Sequence, residues 1–284
     1  LNTNLANASA TDALTLTVSG TSAVASDLIG LDGKTSVNVK ADGTVTTITG
    51  TAANIQTVVS AATIDTAANV NVTVDSGTAT VAQQIAIDAQ TTGTITATIA
   101  EGDVSSLKTL KASGGVHALT INISDTSASA SDLNTIDSKT SVNVNASAIE
   151  NITSSAIADV KTLITNKTTA GIDGNWNVVV SDTTVSAADA KIVNDATTGT
   201  VNISASTTLN GTTADVLSIV NDATVTTATD YATTLSDPAS VANANTILGD
   251  TSGIVTAVVA SDSASNLNTN LANASATDAL TLTV

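Results

Sequence analysis

Residues 1–18 read LNTNLANASATDALTLTV, and residues 267–284 repeat them letter for letter at an offset of 266 positions. Ordinary divergence within one domain does not leave an identical copy of that length. The identity predicts one full period of a tandem array over residues 1–266 and the start of the next, identical period over 267–284. Such arrays build length, stiffness or multivalency more readily than they build a catalytic pocket.

Inside the long period a shorter unit recurs, opening on an alternating segment. Clear cases are Leu14-Thr15-Leu16-Thr17-Val18, Val70-Asn71-Val72-Thr73-Val74, Ile95-Thr96-Ala97-Thr98-Ile99 and Leu119-Thr120-Ile121-Asn122-Ile123. Others begin at Val37, Val142, Trp176, Val201, Tyr231, Ile254 and Leu280. Strict alternation predicts strands with one face inward, carrying Leu14, Leu16, Val18, Val72, Ile121 and Val178. A partial duplication is also visible: the segment from Ala13, ALTLTVSGTSAVASDLIGLDGKTSVNV, matches ALTINISDTSASASDLNTIDSKTSVNV from Ala118.

Between strands lies a second element: an acid or amide, an apolar residue, two variable positions and another apolar residue. It recurs as Asp27-Leu28 with Leu31, Asn54-Ile55 with Val58, and Asp132-Leu133 with Ile136. Asp159-Val160 with Leu163, Asp215-Val216 with Ile219, and Asn243-Ala244 with Ile247 follow the same rule. Apolar residues three apart share one face of a short helix. Ser or Thr often stands three residues before the acid or amide, at Thr51, Ser129, Ser186, Thr212, Ser240 and Ser263, where a hydroxyl caps the first turn. Longer units add a second strand, as at Thr44–Thr49, whereas shorter ones carry a polar link such as Ser19-Gly20-Thr21-Ser22. Pro238 fits the first turn of a helix.

Composition agrees with a thin core repeated along an axis. Apolar residues make up 42% of the chain and aromatic residues 1%, with one Trp, one Tyr and no Phe, Met or Cys. Large globular cores usually need aromatic side chains to fill their centres. The expected fold is a right-handed parallel β-solenoid with a short helix in most coils, about ten coils per long period. Right-handedness follows from the general rule for strand–crossover–strand connections. Parallel strands stacked about 4.8 Å apart would advance such a rod roughly 48 Å per period.

The net charge is −17, and all eight basic residues are Lys. An acidic chain without Arg and nearly without aromatics is a poor match for nucleic acid or an anionic membrane surface. No apolar run is long enough for a membrane span. Two acidic columns emerge when the short units are aligned. One follows the strand, with Asp75, Asp125, Asp182 and Asp237; the other follows the helix, with Asp32, Asp88, Asp137, Asp195, Asp222 and Asp250. One reading is turn-forming Asp bonded to nearby backbone. The other is a calcium site formed by Asp32, Asp75, Asp88, Asp125, Asp137, Asp182, Asp195 and Asp222, since hard cations relieve stacked carboxylates. Neither an EF-hand loop nor a G-G-x-G-x-D repeat occurs. Lys34 and Lys139 offer another way to neutralise that column. His117, the single His, stands before a strand and lacks the surroundings of a Ser-His-Asp set. Trp176 and Tyr231 open strands, as packing residues would. Sequons at Asn7, Asn71, Asn122, Asn145, Asn151, Asn202 and Asn273 are expected in a chain so rich in Asn, Ser and Thr.

The phrases ITGTAANIQTVV (48–59), ASDLNTIDSKTSVNVNASAIENIT (130–153) and GTTADVLSIVNDATV (211–225) resemble the repeats of giant tandem-repeat cell-surface proteins of marine cyanobacteria, a group that includes a very large surface protein associated with non-flagellar swimming. That resemblance implies a secreted or surface-anchored array and transfers no catalytic residue. The expected role is a structural component of an extracellular or cell-surface filament, not an enzyme. Its partners would be further copies of the same repeat, joined covalently along the fibre axis. The alternative is an adhesin stalk or a module binding calcium or carbohydrate.

Overall fold

A computed structural model describes residues 2–284. Strands and short helices alternate along the chain, and all strand pairings among the described residues are parallel. The chain divides into two units. Unit 1 comprises Leu1–Asp125, Thr135–Ala146 and Thr169–Gly171; unit 2 comprises Thr126–Asn134, Ser147–Thr168 and Ile172–Val284.

In unit 1 a five-stranded sheet is built from Ser22–Val24, Thr47–Gly50, Asn71–Val74, Ile95–Thr98 and Ala118–Thr120, neighbours in space as in sequence. Its central register runs Ala23, Ile48, Val72, Ile95, all buried. The helices Ala25–Asp32, Ala52–Ser60 and Val81–Asp88 pack each on the next. In unit 2 the matching sheet is Ser127–Ser129, Asn151–Ser155, Asn177–Val180, Val201–Asn202 and Val225–Thr226. Its helices Ile157–Thr165, Ala187–Ala196, Thr213–Val220, Val241–Asp250 and Ala264–Asn270 also pack in sequence order. A further ladder joins Thr233–Thr234, Val255–Val258 and Ala279–Thr281.

Local signals locate the helices well. All six apolar pairs lie on helices and are buried, from Leu28 with Leu31 to Ala244 with Ile247. All six expected hydroxyls cap, each accepting from the amide three residues on, at 3.1–3.4 Å. These helices span only two or three turns, so burial of this narrow apolar face sustains them rather than intrinsic propensity.

The strands depart further from expectation, because the helix slides relative to the ladder. Ala23 lies two residues before its helix at Ala25, Ile48 four before Ala52, and Val72 nine before Val81. In unit 2 the drift is Ala128 two before Ala130, Ile152 five before Ile157, Val178 nine before Ala187 and Val201 twelve before Thr213. One sheet therefore passes from the segment just before the helix to the segment that opens the unit. Early in the ladder the strand is Ser22–Val24, which overlaps the expected polar link only at Ser22. Leu14–Val18 forms a single bridge, Thr17 to Lys40, and Leu14, Leu16 and Val18 are only half-buried. Val72, Ile121 and Val178 are buried as expected. The segment from Val142 makes only a bridge at Asn145. Pro238 lies outside the helix that begins at Val241, whose cap is Ser240.

Candidate functional site: polar columns between successive repeats

Three members of the acidic column after the strand, Asp125, Asp182 and Asp237, share with Glu101 a structural task that spans repeats. The first amide of a helix receives a carboxylate from the repeat that follows. Val81 N–H donates to Glu101 at 2.9 Å and Val104 N–H to Asp125 at 2.8 Å. Ile157 N–H donates to Asp182 at 2.7 Å and Thr213 N–H to Asp237 at 2.6 Å. Ser155 serves the same amide at Ala130, at 2.9 Å. All five groups satisfy orphan donors, and the four carboxylates also place negative charge at the positive end of the helix dipole. At Val81, Ala130 and Thr213 a local hydroxyl cap and the group from the following repeat act together, fastening the helix both to its own turn and to its neighbour.

A second column lies after the helices. Thr35, Thr91, Thr140, Thr197 and Thr251 each donate a hydroxyl hydrogen bond to the carbonyl of a residue 20 or 21 positions earlier: Leu14, Val70, Leu119, Trp176 and Tyr231, at 2.5–2.7 Å. The same oxygen accepts the amide two residues on, at 3.0 Å in each case. At Thr91, Thr197 and Thr251 that residue is Gly93, Gly199 or Gly253, and a Cβ there would stand 2.2–2.3 Å from the carbonyl oxygen just latched. The motif is thus Thr-[Ser/Thr]-Gly, with glycine required by close backbone approach. Its recurrence as Thr91-Thr92-Gly93, Thr197-Thr198-Gly199 and Thr251-Ser252-Gly253 is the sequence signal that reveals it.

His117 occupies the equivalent position in a unit without that threonine. Its Nδ1 accepts the Ile95 amide at 3.3 Å, so Nε2 carries the hydrogen and donates to Asp88 at 2.7 Å. Ring and carboxylate are 1% and 2% exposed. Burial pushes the Asp88 carboxyl upward, but hydrogen bonds from Ser113 and His117 outweigh it and hold the group below the usual carboxylate range. A surface cleft of about 420 Å3, lined by Asp88, Gln90, Thr92, Ser113 and Gly114, adjoins the pair. Among the described residues no nucleophile is hydrogen-bonded to the ring, and both ring nitrogens are used in holding the fold.

The eight carboxylates considered as calcium ligands therefore have separate places. Asp125 and Asp182 cap helices, and Asp88 holds His117. Asp137 accepts from Thr169 at 3.1 Å, Asp195 pairs with Lys191 at 2.5 Å, and Asp222 accepts from Asn194 and Thr224. Asp32 ends a helix, and Asp75 is exposed at a turn. Among the described residues no three His, Cys, Asp or Glu side chains gather in a way that could hold a metal ion. Trp176 and Tyr231 are buried packing residues, and the Tyr231 hydroxyl donates to Asp250 at 2.8 Å. No helix among the described residues is long and apolar enough to cross a membrane.

Neutral groups line the outward face of the unit 2 sheet. A groove of about 560 Å3 is formed there by Asn151, Thr153, Asn177, Val179, Thr200 and Asn202. Asn177 donates to Asn151 at 3.2 Å and accepts from Thr200 at 2.9 Å, making an amide rung across three strands. Comparison with known protein families, curated proteins and solved structures found no match.

Proposed function

We propose that the chain is a structural segment of an extracellular or cell-surface filament, built as a right-handed parallel solenoid of about ten coils per 266-residue period. Its role is mechanical rather than catalytic, and its partners are further copies of the same repeat. One observation carries the proposal: the duplicated segment pairs by opposite edges in its two settings. In the first copy, Val18 N–H donates to Lys40 O and Leu16 O accepts from Lys40 N–H, both at 2.8 Å. In the second copy the other edge is used: Ala279–Thr281 pairs with Thr256–Val258, and Thr283 O accepts from Asp262 N–H. Asp278, the counterpart of Asp12, takes the Val255 amide at 2.9 Å, as Thr35 and Thr140 take those of Leu14 and Leu119. The same sequence thus fits a neighbour before it and a neighbour after it, as an interior unit of a continuing ladder must.

The neutral groove on unit 2 favours one second reading, a stalk that binds carbohydrate through its amide and hydroxyl groups. The first reading is tested in the source cells with antibody raised against the repeat. Labelling of intact cells or of extracellular fibres is expected. A pool confined to the soluble interior of lysed cells would overturn it.

A further inference from the structure

One register shift interrupts the strand ladders among the described residues, and it lies in the neutral groove of unit 2. Asn177 pairs with Asn151 and Val178 with Ile152, but Val180 pairs with Ser155, so Thr153 and Ser154 together face Val179. A bulge of this kind re-aims side chains. Strict alternation would send either Thr153 or Ser154 inward, yet both are exposed. Ser155 takes the inward place instead. Its buried hydroxyl donates to Thr153 O at 2.7 Å and accepts the Ala130 amide at 2.9 Å, which fixes the bulge from below.

The groove's polar groups fall into two sets. Asn177 is committed to Asn151 and Thr200. Asn202 accepts the Ser204 amide at 2.9 Å through its oxygen, but among the described residues no acceptor takes its side-chain N–H groups. The Asn151 side-chain N–H groups and the Thr153 and Ser154 hydroxyls are likewise without a partner among the described residues. Between the two hydroxyls and the Asn202 amide stands Val179, 42% exposed. None of the groove's lining residues is charged, in a chain whose net charge is −17.

We infer that this groove binds a neutral linear oligosaccharide. The C–H face of one ring lies on Val179, and ring hydroxyls bond to Thr153 and Ser154 on one side and to the Asn202 amide on the other. An apolar platform flanked by a few unpaired donors and acceptors is the general form of a small-ligand site. Thr153 and Asn202 stand on strands two steps apart, about 9.6 Å. That span exceeds one sugar ring, so a ligand that reaches both sides has at least two. An acidic glycan would meet no cation in the groove and would be repelled by the chain's charge. The inference rests on the carbohydrate-stalk reading, to which it adds a ligand class and the residues that hold it.

The test titrates the full 284-residue chain with neutral linear gluco-, manno- and chito-oligosaccharides, with their monosaccharides, and with oligogalacturonates of matching length. NMR signals of the Val179 methyls and the Asn202 side-chain amide report binding. Neutral chains of two or more rings should shift both signals, and monosaccharides and oligogalacturonates should bind at least about tenfold more weakly, as loss of one or two net hydrogen bonds implies. Asn202→Asp keeps the acceptor for Ser204 N–H and removes the donor; Val179→Lys removes the apolar platform. Each should weaken binding by about tenfold without altering urea unfolding. Thr73→Ala, on the outward face of the unit 1 sheet, should leave binding unchanged. If none of these oligosaccharides binds, the inference and the carbohydrate reading both fall. Binding that survives Asn202→Asp and Val179→Lys would overturn the groove assignment and leave the carbohydrate reading standing. Preference for oligogalacturonate, or self-association abolished by Val179→Lys with no sugar-induced shift at Val179, would overturn the inference as well.

Discussion

Gly171→Ala will destabilise unit 1 by at least about 3 kcal/mol, the largest effect expected from adding a single methyl group. Gly171 has φ +62°, and a Cβ there would lie 1.8 Å from the carbonyl oxygen of Val144. Backbone must move to admit it, and the bond from Ala146 N–H to Gly171 O, at 3.1 Å, holds the two segments together at that point. Two controls separate the causes. Gly77 has φ +80° but open space around its Cβ, so Gly77→Ala should cost only the conformational strain, about 1 kcal/mol. Gly43 has open space and no positive φ, so Gly43→Ala should be neutral or slightly stabilising. Urea unfolding followed by amide exchange at Val144 and Ala146 reads all three. Equal effects at Gly171 and Gly77 would show that the close approach to Val144 does not constrain the fold.

His117→Ala should cost about 3 kcal/mol, because it removes one partner from a buried carboxylate and the acceptor from a buried amide. Asp88 would retain Ser113, whose N–H lies at 3.0 Å, and Ile95 N–H would lose its acceptor. The loss should appear as reduced exchange protection at Ile95 and Leu119. Acid should reproduce part of it. The Asp88 pKa is lowered on folding, so its stabilising contribution is full above the ordinary carboxylate value near 4 and disappears as the pH falls through the lower folded value. The native chain should therefore lose this contribution below about pH 4, and an Asp88→Asn variant should show a shallower acid dependence. An unaltered acid profile in Asp88→Asn would remove Asp88 from the account.

What was legible in the sequence is what neighbours in sequence determine. The apolar pair at Leu28 and Leu31 and the cap at Thr51 each lie within a single helical turn, and the pattern that predicts them is the structure that forms. The Asp182 bond to Ile157, the Thr91 latch on Val70 and the His117–Asp88 pair join residues 21 to 29 positions apart. Their partners are decided by strand register, and register was the feature least visible, because the helix drifts from two to twelve residues beyond the ladder. Asp88 shows the consequence. Aligned by sequence, it belongs to a column of like charges; placed by the fold, it faces the one imidazole in the chain. The Thr-[Ser/Thr]-Gly motif was readable in principle, but only once a threonine is compared with the strand that precedes it by a whole repeat.

The central claim is that each long repeat continues the ladder of the one before it. Chains of one, two and three tandem copies of the 266-residue period, measured by small-angle scattering and electron microscopy, test it most directly. The account predicts a constant cross-section and a length that grows by roughly 48 Å per copy, the advance of ten parallel strands. Copies that appear as separate bodies on flexible joints, or a length that does not grow by a constant step, would contradict it.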